Sequence, residues 1–155
     1  MKKLFIILIF ILCSCKKSYL DDSIKIISGN NKNIYLYGDD LVFKKLKLTK
    51  LTNLELDNYS NDDYLILNYT KDSFNLDDKT ITYIFNISKE KGLNVIFYNF
   101  HHYQNIINQY LDYNYYTDIL FYNSKNNYIY ENYEINKELA IINFIRNNIY
   151  NEFYS

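Results

Sequence analysis

The stretch from Tyr64 to Phe100 constrains the fold more than any other. Tyr64-Leu-Ile-Leu-Asn-Tyr69 is a short apolar run of strand length. After it, Asp77 or Asp78 is placed to cap a helix whose residues Ile81, Ile84, Phe85 and Ser88 share one face. Lys89 and Lys91 suit the negative C-terminal end of that helix, and Gly92 suits the left-handed position that closes it. Leu93 to Phe100 is then nearly all apolar, as a strand buried on both faces is. Strand, helix and buried strand in that order predict a β-α-β unit, because two parallel strands need a long crossover between them.

The flanking segments predict more strands and two more helices. Ile24 to Ile27 and Ile34 to Tyr37 read as strands around the turn residues Ser28-Gly29-Asn30-Asn31. Phe43-Lys-Lys-Leu46-Lys-Leu48 is echoed eight residues later by Leu51-Thr-Asn-Leu54-Glu-Leu56. Leucine-rich repeats run about 20 to 29 residues, so two successive strands fit better, with Lys45 and Lys47 facing Glu55 and Asp57 across an antiparallel ladder. Tyr103, Ile106, Ile107, Tyr110 and Leu111 have amphipathic helical spacing. Asp118 to Tyr122 and Tyr128 to Tyr133 read as a hairpin around Ser124 to Asn127. A last helix over 137–153 places Leu139, Ile142, Ile145, Ile149 and Phe153 on one face, with Asn136 as its cap. The expected class is α+β: a mixed, mostly antiparallel sheet with about three helices packed on one face.

The N-terminal segment carries the address. Lys2 and Lys3 precede an unbroken apolar run from Leu4 to Leu12, and Leu12-Cys13-Ser14-Cys15 follows. A transmembrane helix needs about 20 apolar residues; this run stops well short of that, at the length of a secretory h-region. The segment resembles the signal peptide of bacterial lipoproteins. The resemblance implies cleavage before Cys15 and lipid on its thiol, with Cys13 standing where the family has Ala, Ser, Thr, Val or Ile. Leu12 is too large to precede a lipidated Cys13. The implied organisation is a signal peptide over 1–14, a lipidated tether over 15–23 and a single α+β domain over 24–155. The implied location is the cell envelope. Lys16, rather than Asp, after the lipidated cysteine favours the outer membrane where the cell has one.

Processing also settles charge and redox chemistry. Of 17 basic residues, the removal of Lys2 and Lys3 leaves 15 against 18 acidic ones, a net of −3. No basic surplus exists to bind nucleic acid. Both cysteines are consumed, one with the signal and one by the lipid, so no disulfide and no thiolate metal site is expected. The 19 tyrosines accompany many Ile, Asn and Lys residues, and all four share AT-rich codons, so their number alone says little about function.

Candidate chemistry is sparse. His101 and His102 point about 100° apart on a helix and cannot chelate one metal as an i, i+4 pair does. Either would make an envelope enzyme only with a loop carboxylate such as Asp112 or Asp118. The acidic doublets fail as calcium loops, which need Gly at position 6 and Glu at position 12. Counting from Asp57 these are Asp62 and Asn68, and from Asp112 they are Thr117 and Asn123. No Gly-x-Ser-x-Gly elbow, phosphate-binding Gly loop or His-Glu-x-x-His is present. The sequence reading is therefore a non-enzymatic, lipid-anchored binding or interaction protein, immunity-like or accessory, without cofactor or metal. The membrane is held through the lipid, and a protein partner is expected at Tyr115, Tyr116, Tyr128 and Tyr130. The same tyrosine-bearing hairpin gives the alternative of a glycan-binding module.

Overall fold

The β-α-β unit lies at the middle of a six-stranded mixed sheet. A computed structural model describes residues 19–55, 59, 63–123, 128–132 and 135–154, without the side chains of 128, 130 and 151–154. The strands are β1 (Ile34–Gly38), β2 (Thr49–Lys50), β3 (Tyr64–Asn68), β4 (Asn94–Tyr98), β5 (Ile119–Asn123) and β6 (Tyr128–Asn132). Their order is β2-β1-β3-β4-β5-β6. The helices are α1 (19–29), α2 (Asp78–Lys91), the single turn α3 (Gln104–Ile107) and α4 (Lys137–Tyr154), which makes the class α+β.

The local signals around β3 and β4 act as their chemistry dictates. The Asp77 carboxylate accepts from the Thr80 amide at 2.8 Å and caps α2, and Gly92 closes it at φ 76°. Ile81, Ile84, Ile87 and Ser88 of α2 are buried. The three isoleucines join Leu65 and Leu67 of β3, Val95 and Phe97 of β4 and Leu120 of β5 in one core. The alternate residues Ile66, Ile96 and Phe121 are buried as well. That explains the continuous apolar runs, since neither face of these strands meets water. Each fully buried Leu, Ile or Phe contributes about 1.5–3 kcal/mol of transfer free energy.

Strand direction departs from expectation. The β2-β1, β1-β3 and β3-β4 pairings are parallel, and only β4-β5 and β5-β6 are antiparallel, so the sheet is not mostly antiparallel. Two segments account for this. Residues 24–27 belong to α1, where Ser23 and Ile27, four apart, are buried. The turn residues end this helix instead of forming a hairpin: Asn30 Nδ2 donates to the Ile26 carbonyl at 3.0 Å, and Asn31 adopts φ 51°. Phe43 to Leu48 is not a strand, and only Thr49–Lys50 pairs, in parallel with β1. The expected ladder of Lys45 and Lys47 with Glu55 and Asp57 therefore does not form at 43–48, and Asp57 lies outside the described residues. A two-residue edge bearing Lys50 is instead a short, charged edge of the kind that resists further pairing.

The expected helix over 103–111 is broken into 3₁₀ turns at Phe100–His102 and Asn108–Tyr110 around α3. Tyr103 and Ile107 are buried as the spacing requires, but Ile106 is 38 % exposed. The interruption has a side-chain cause at its far end. Asn108 Nδ2 donates to the Tyr115 carbonyl at 3.0 Å, and Asn108 Oδ1 accepts from the Tyr115 amide at 3.1 Å. The side chain thus satisfies a loop that a continuing helix would carry away.

The described residues fall into two compact units: those among Met1–Asn31 and Glu138–Ser155, and those of Lys32–Lys137. In the first, Ala140, Ile141, Ile142, Phe144, Ile145 and Ile149 of α4 are buried, and Asn147 is exposed. Arg146 is half-buried there, its guanidinium 4.4 Å from the Tyr19 ring centre and 5.1 Å from that of Tyr150. The second unit holds the whole sheet and the site described next.

Candidate functional site

Three parallel strands, β1, β3 and β4, end on the same edge of the sheet. From β1 the chain leaves sideways to β2, whereas β3 lies on the other side of β1 and leads through α2 to β4. The two connections diverge between β1 and β3, the place where an open parallel sheet leaves a crevice at its carboxyl ends. Gly38 closes β1 there at φ 98°. A Cβ on it would lie 2.1 Å from the Asn68 carbonyl oxygen, so only glycine permits this approach. The following amide, of Asp39, donates to that same oxygen at 2.7 Å.

The Asp39 carboxylate is fixed by residues that follow β3. Its Oδ2 accepts from the Thr70 amide at 2.9 Å and from Ser73 Oγ at 2.5 Å. The Ser73 hydrogen bond first, then Thr70 and the Lys50 charge, hold this carboxyl below its ordinary range against partial burial. Lys50 Nζ pairs with Asp40 Oδ1 at 2.9 Å and donates to the Gly38 carbonyl.

A groove opens beside Asp39. Its inner compartment, about 270 Å³, is lined by Tyr37, Gly38, Asp39, Leu51, Thr52, Tyr69, Ser73 and Asn75. An outer compartment of about 520 Å³ shares Tyr37, Thr52 and Asn75, and adds Asn53, Leu54, Leu76, Asp77, Lys79, Thr80 and Tyr83. Tyr69 is only 2 % exposed, and its hydroxyl has no hydrogen-bond partner. Burial drives that phenol far above its ordinary pKa and keeps it neutral. Its ring is held edge-on by Tyr37, Phe74 and Tyr103 at 6.4, 5.3 and 5.9 Å. The neighbouring Tyr103 hydroxyl, by contrast, lies 2.9 Å from the carbonyls of both Leu67 and Tyr98.

A second polar feature runs along the same edge. Asn68 Nδ2 donates to the Asp39 carbonyl at 3.2 Å, and Asn99 Nδ2 donates to Asn68 Oδ1 at 2.9 Å. Lys137 Nζ then reaches Asn99 Oδ1 at 2.8 Å and Asp118 Oδ2 at 3.4 Å, while His101 Nδ1 lies 2.8 Å from Asp118 Oδ1. Asn99 adopts φ 55°, a left-handed conformation rare outside glycine, and so turns the chain after β4 toward these partners. The structure thus pairs His101 with Asp118, one of the two carboxylates singled out from the sequence. The His101 and Asp118 side chains are 43 % and 52 % exposed, and neither lines either compartment of the groove. The His101 and His102 rings lie 3.9 Å apart. Among the described residues, no group of three or more His, Cys, Asp or Glu side chains is placed to hold a metal ion.

Of the residues singled out from the sequence for lipidation and partner contact, only Tyr115 and Tyr116 have described side chains. Cys15 lies outside the described residues. Tyr115 is half-buried and packs against the core, and Tyr116 is 63 % exposed. Strand β6 pairs Tyr130 with Phe121 and Tyr128 with Asn123, but both tyrosine side chains lie outside the described residues. Asp39, Tyr69 and Ser73 were not legible as a site. Their signal is positional: a Gly-Asp pair directly after one strand and a Thr-x-x-Ser turn directly after another, meaningful only once both strands run parallel. Among the described residues no helix is long and apolar enough to cross a membrane. No protein-family model, no curated protein and no solved structure matches the chain.

Proposed function

We propose that this chain is a lipoprotein of the bacterial envelope, anchored through lipid on Cys15, whose folded part acts by binding rather than by catalysis. One observation carries the address: the Lys2-Lys3 head, the nine apolar residues Leu4 to Leu12, and Ser14 before Cys15. At 1.5 Å per helical residue this run reaches less than half of a hydrocarbon core of about 30 Å, which suits a cleaved signal and not a span. The partner class is that of an immunity-type or accessory lipoprotein, which meets other envelope components at the membrane surface.

The binding reading draws support from the placement of the titratable groups. The Asp118 carboxylate is tied to His101 and Lys137, and its backbone carbonyl accepts from the Phe100 amide at 2.9 Å. That arrangement braces two loops in contact with water. A general base works best inside a concave site that holds the reacting group. The 2.8 Å contact between His101 and Asp118 favours one second reading, an envelope hydrolase in which Asp118 orients the imidazole.

Metabolic labelling with a fatty-acid analogue tests the anchor. The full chain takes up label and fractionates with membranes, and Cys15→Ser abolishes labelling and accumulates uncleaved precursor. Label retained by Cys15→Ser contradicts the proposal. Loss of a measured hydrolytic activity in His101→Ala, with the melting curve unchanged, would replace the binding reading by the hydrolase.

A further inference from the structure

We infer that the groove over the carboxyl ends of β1 and β3 is a binding site for a neutral sugar, with the Tyr69 hydroxyl and the Asp39 carboxylate holding the first ring. The inference rests on the binding reading above and is independent of the lipid anchor.

The starting point is an unmet requirement. Tyr69 is 98 % buried, and its hydroxyl has neither donor nor acceptor. Buried polar groups nearly always have a partner, and the residue whose hydroxyl lacks one lines the inner compartment. Its ring is fixed on three sides by aromatic neighbours. The hydroxyl end of that ring lies against Gly38, where the Tyr69 Cζ would be 3.0 Å from an added Cβ, and the residue lines the inner compartment.

The second requirement is Asp39. Ser73 and Thr70 both bind its Oδ2, which fixes the carboxylate at the edge of the inner compartment. A held carboxylate and a phenol that line the same compartment offer a strong acceptor and a group that both donates and accepts. Adjacent hydroxyls on a pyranose ring match that pair, since each also donates and accepts. An anionic ligand is repelled by Asp39. In the outer compartment Asp77 and Lys79 balance each other, and hydroxyl and amide groups from Thr52, Asn53, Asn75 and Thr80 supply neutral hydrogen bonding.

The apolar side of a sugar needs an aromatic wall. Tyr37 borders both compartments and Tyr83 borders the outer one, and both rings are half-buried. Small-molecule sites typically span roughly 300 to 1,000 Å³. The inner compartment alone falls just under that range and the outer one lies within it, which suits one ring inside and a second ring outside.

The test uses the full chain in detergent and a panel of neutral hexoses, N-acetylhexosamines and their disaccharides, read by saturation-transfer NMR and calorimetric titration. At least one disaccharide binds saturably and more tightly than its monosaccharide. Tyr69→Phe and Asp39→Asn each weaken that binding tenfold or more, while Tyr113→Phe, at an exposed tyrosine away from the groove, leaves it unchanged. The inference is overturned if no sugar in the panel saturates, if Tyr69→Phe binds like wild type, or if an amino sugar or uronic acid of the same skeleton binds more tightly than the neutral form. A sugar consumed by the protein would keep the site and overturn the non-catalytic reading. A purified protein partner held equally by wild type and Tyr69→Phe, with no sugar bound by either, would keep the binding reading and overturn the site.

Discussion

Replacing Tyr69 with Phe should make this protein more stable, an unusual outcome for a change at a core position. The substitution removes one oxygen and retains the ring, so the edge-on contacts with Tyr37, Phe74 and Tyr103 persist. What disappears is a hydroxyl that is dehydrated on folding and gains no hydrogen bond in return. Mutational data put that penalty at about 1–3 kcal/mol. Part of it is returned as a small gap where the oxygen stood, which leaves a gain of about 1–2 kcal/mol. In a domain of this size each kcal/mol moves the midpoint by roughly 3–5 °C, so Tm should rise by roughly 3–10 °C. Circular-dichroism melts of the full chain in detergent, wild type beside Tyr69→Phe at neutral pH, measure it. A fall in Tm of about 2 °C or more would show that the hydroxyl is satisfied in the folded state, and the reasoning about the groove would lose its first premise. Adding the sugar that binds best should raise the wild-type midpoint and leave the variant nearly unmoved, because only a ligand bound to the native state shifts unfolding. A site that sacrifices stability in this way is typical of functional positions.

Gly38→Ala should cost about 3 kcal/mol or more, since a Cβ at φ 98° would strike the Asn68 carbonyl oxygen; urea midpoints check this, and an unchanged midpoint would mean β1 and β3 do not meet as described. Asp39 has a folded pKa below its ordinary value of 3.8, so the folded state binds fewer protons than the unfolded one in the window beneath that value. Its contribution is therefore full above pH 3.8 and is lost as pH falls through the folded value. Asp39→Asn should be less stable than wild type at pH 7 and converge with it in acid, and parallel pH profiles would contradict the assignment. Ile145→Asp buries an uncompensated carboxylate at a fully buried position of α4 and should unfold the chain, whereas Asn147→Asp, at an exposed one, should change stability by about 0.5 kcal/mol or less. Equal tolerance of the two would refute the stated face of α4.

The sequence announces what is local and conceals what is assembled. Asp77 and Gly92 mark the ends of α2 because a cap and a left-handed closure are decided within a few residues. The runs through β3 and β4 show burial on both faces by composition alone. Direction was another matter. Four apolar-rich residues at Ile24 to Ile27 are compatible with strand or helix, and length rather than periodicity decides between them. Once those residues join α1, the antiparallel partner expected for β1 is gone. The break at Asn108 depends on a side chain reaching a loop seven residues away, which no helical pattern records. The groove is the extreme case. Tyr37, Asp39, Tyr69 and Ser73 come from the ends of two strands and the turn that follows one of them, and an unpaired hydroxyl on Tyr69 has no sequence signature. The histidine pair lies between these cases: Asp118 is one of the loop carboxylates near it in sequence, and only the loop geometry brings it to His101.

The anchored-lipoprotein account is tested most directly by the intact mass of the protein extracted from the membranes of cells that express it naturally. The account predicts a chain that begins at Cys15, lacks residues 1–14 and carries the added mass of a diacylglyceryl group on the thiol, with or without a further acyl chain on the new amino group. A chain that still begins at Met1, or one cleaved elsewhere with Cys15 unmodified, would contradict it.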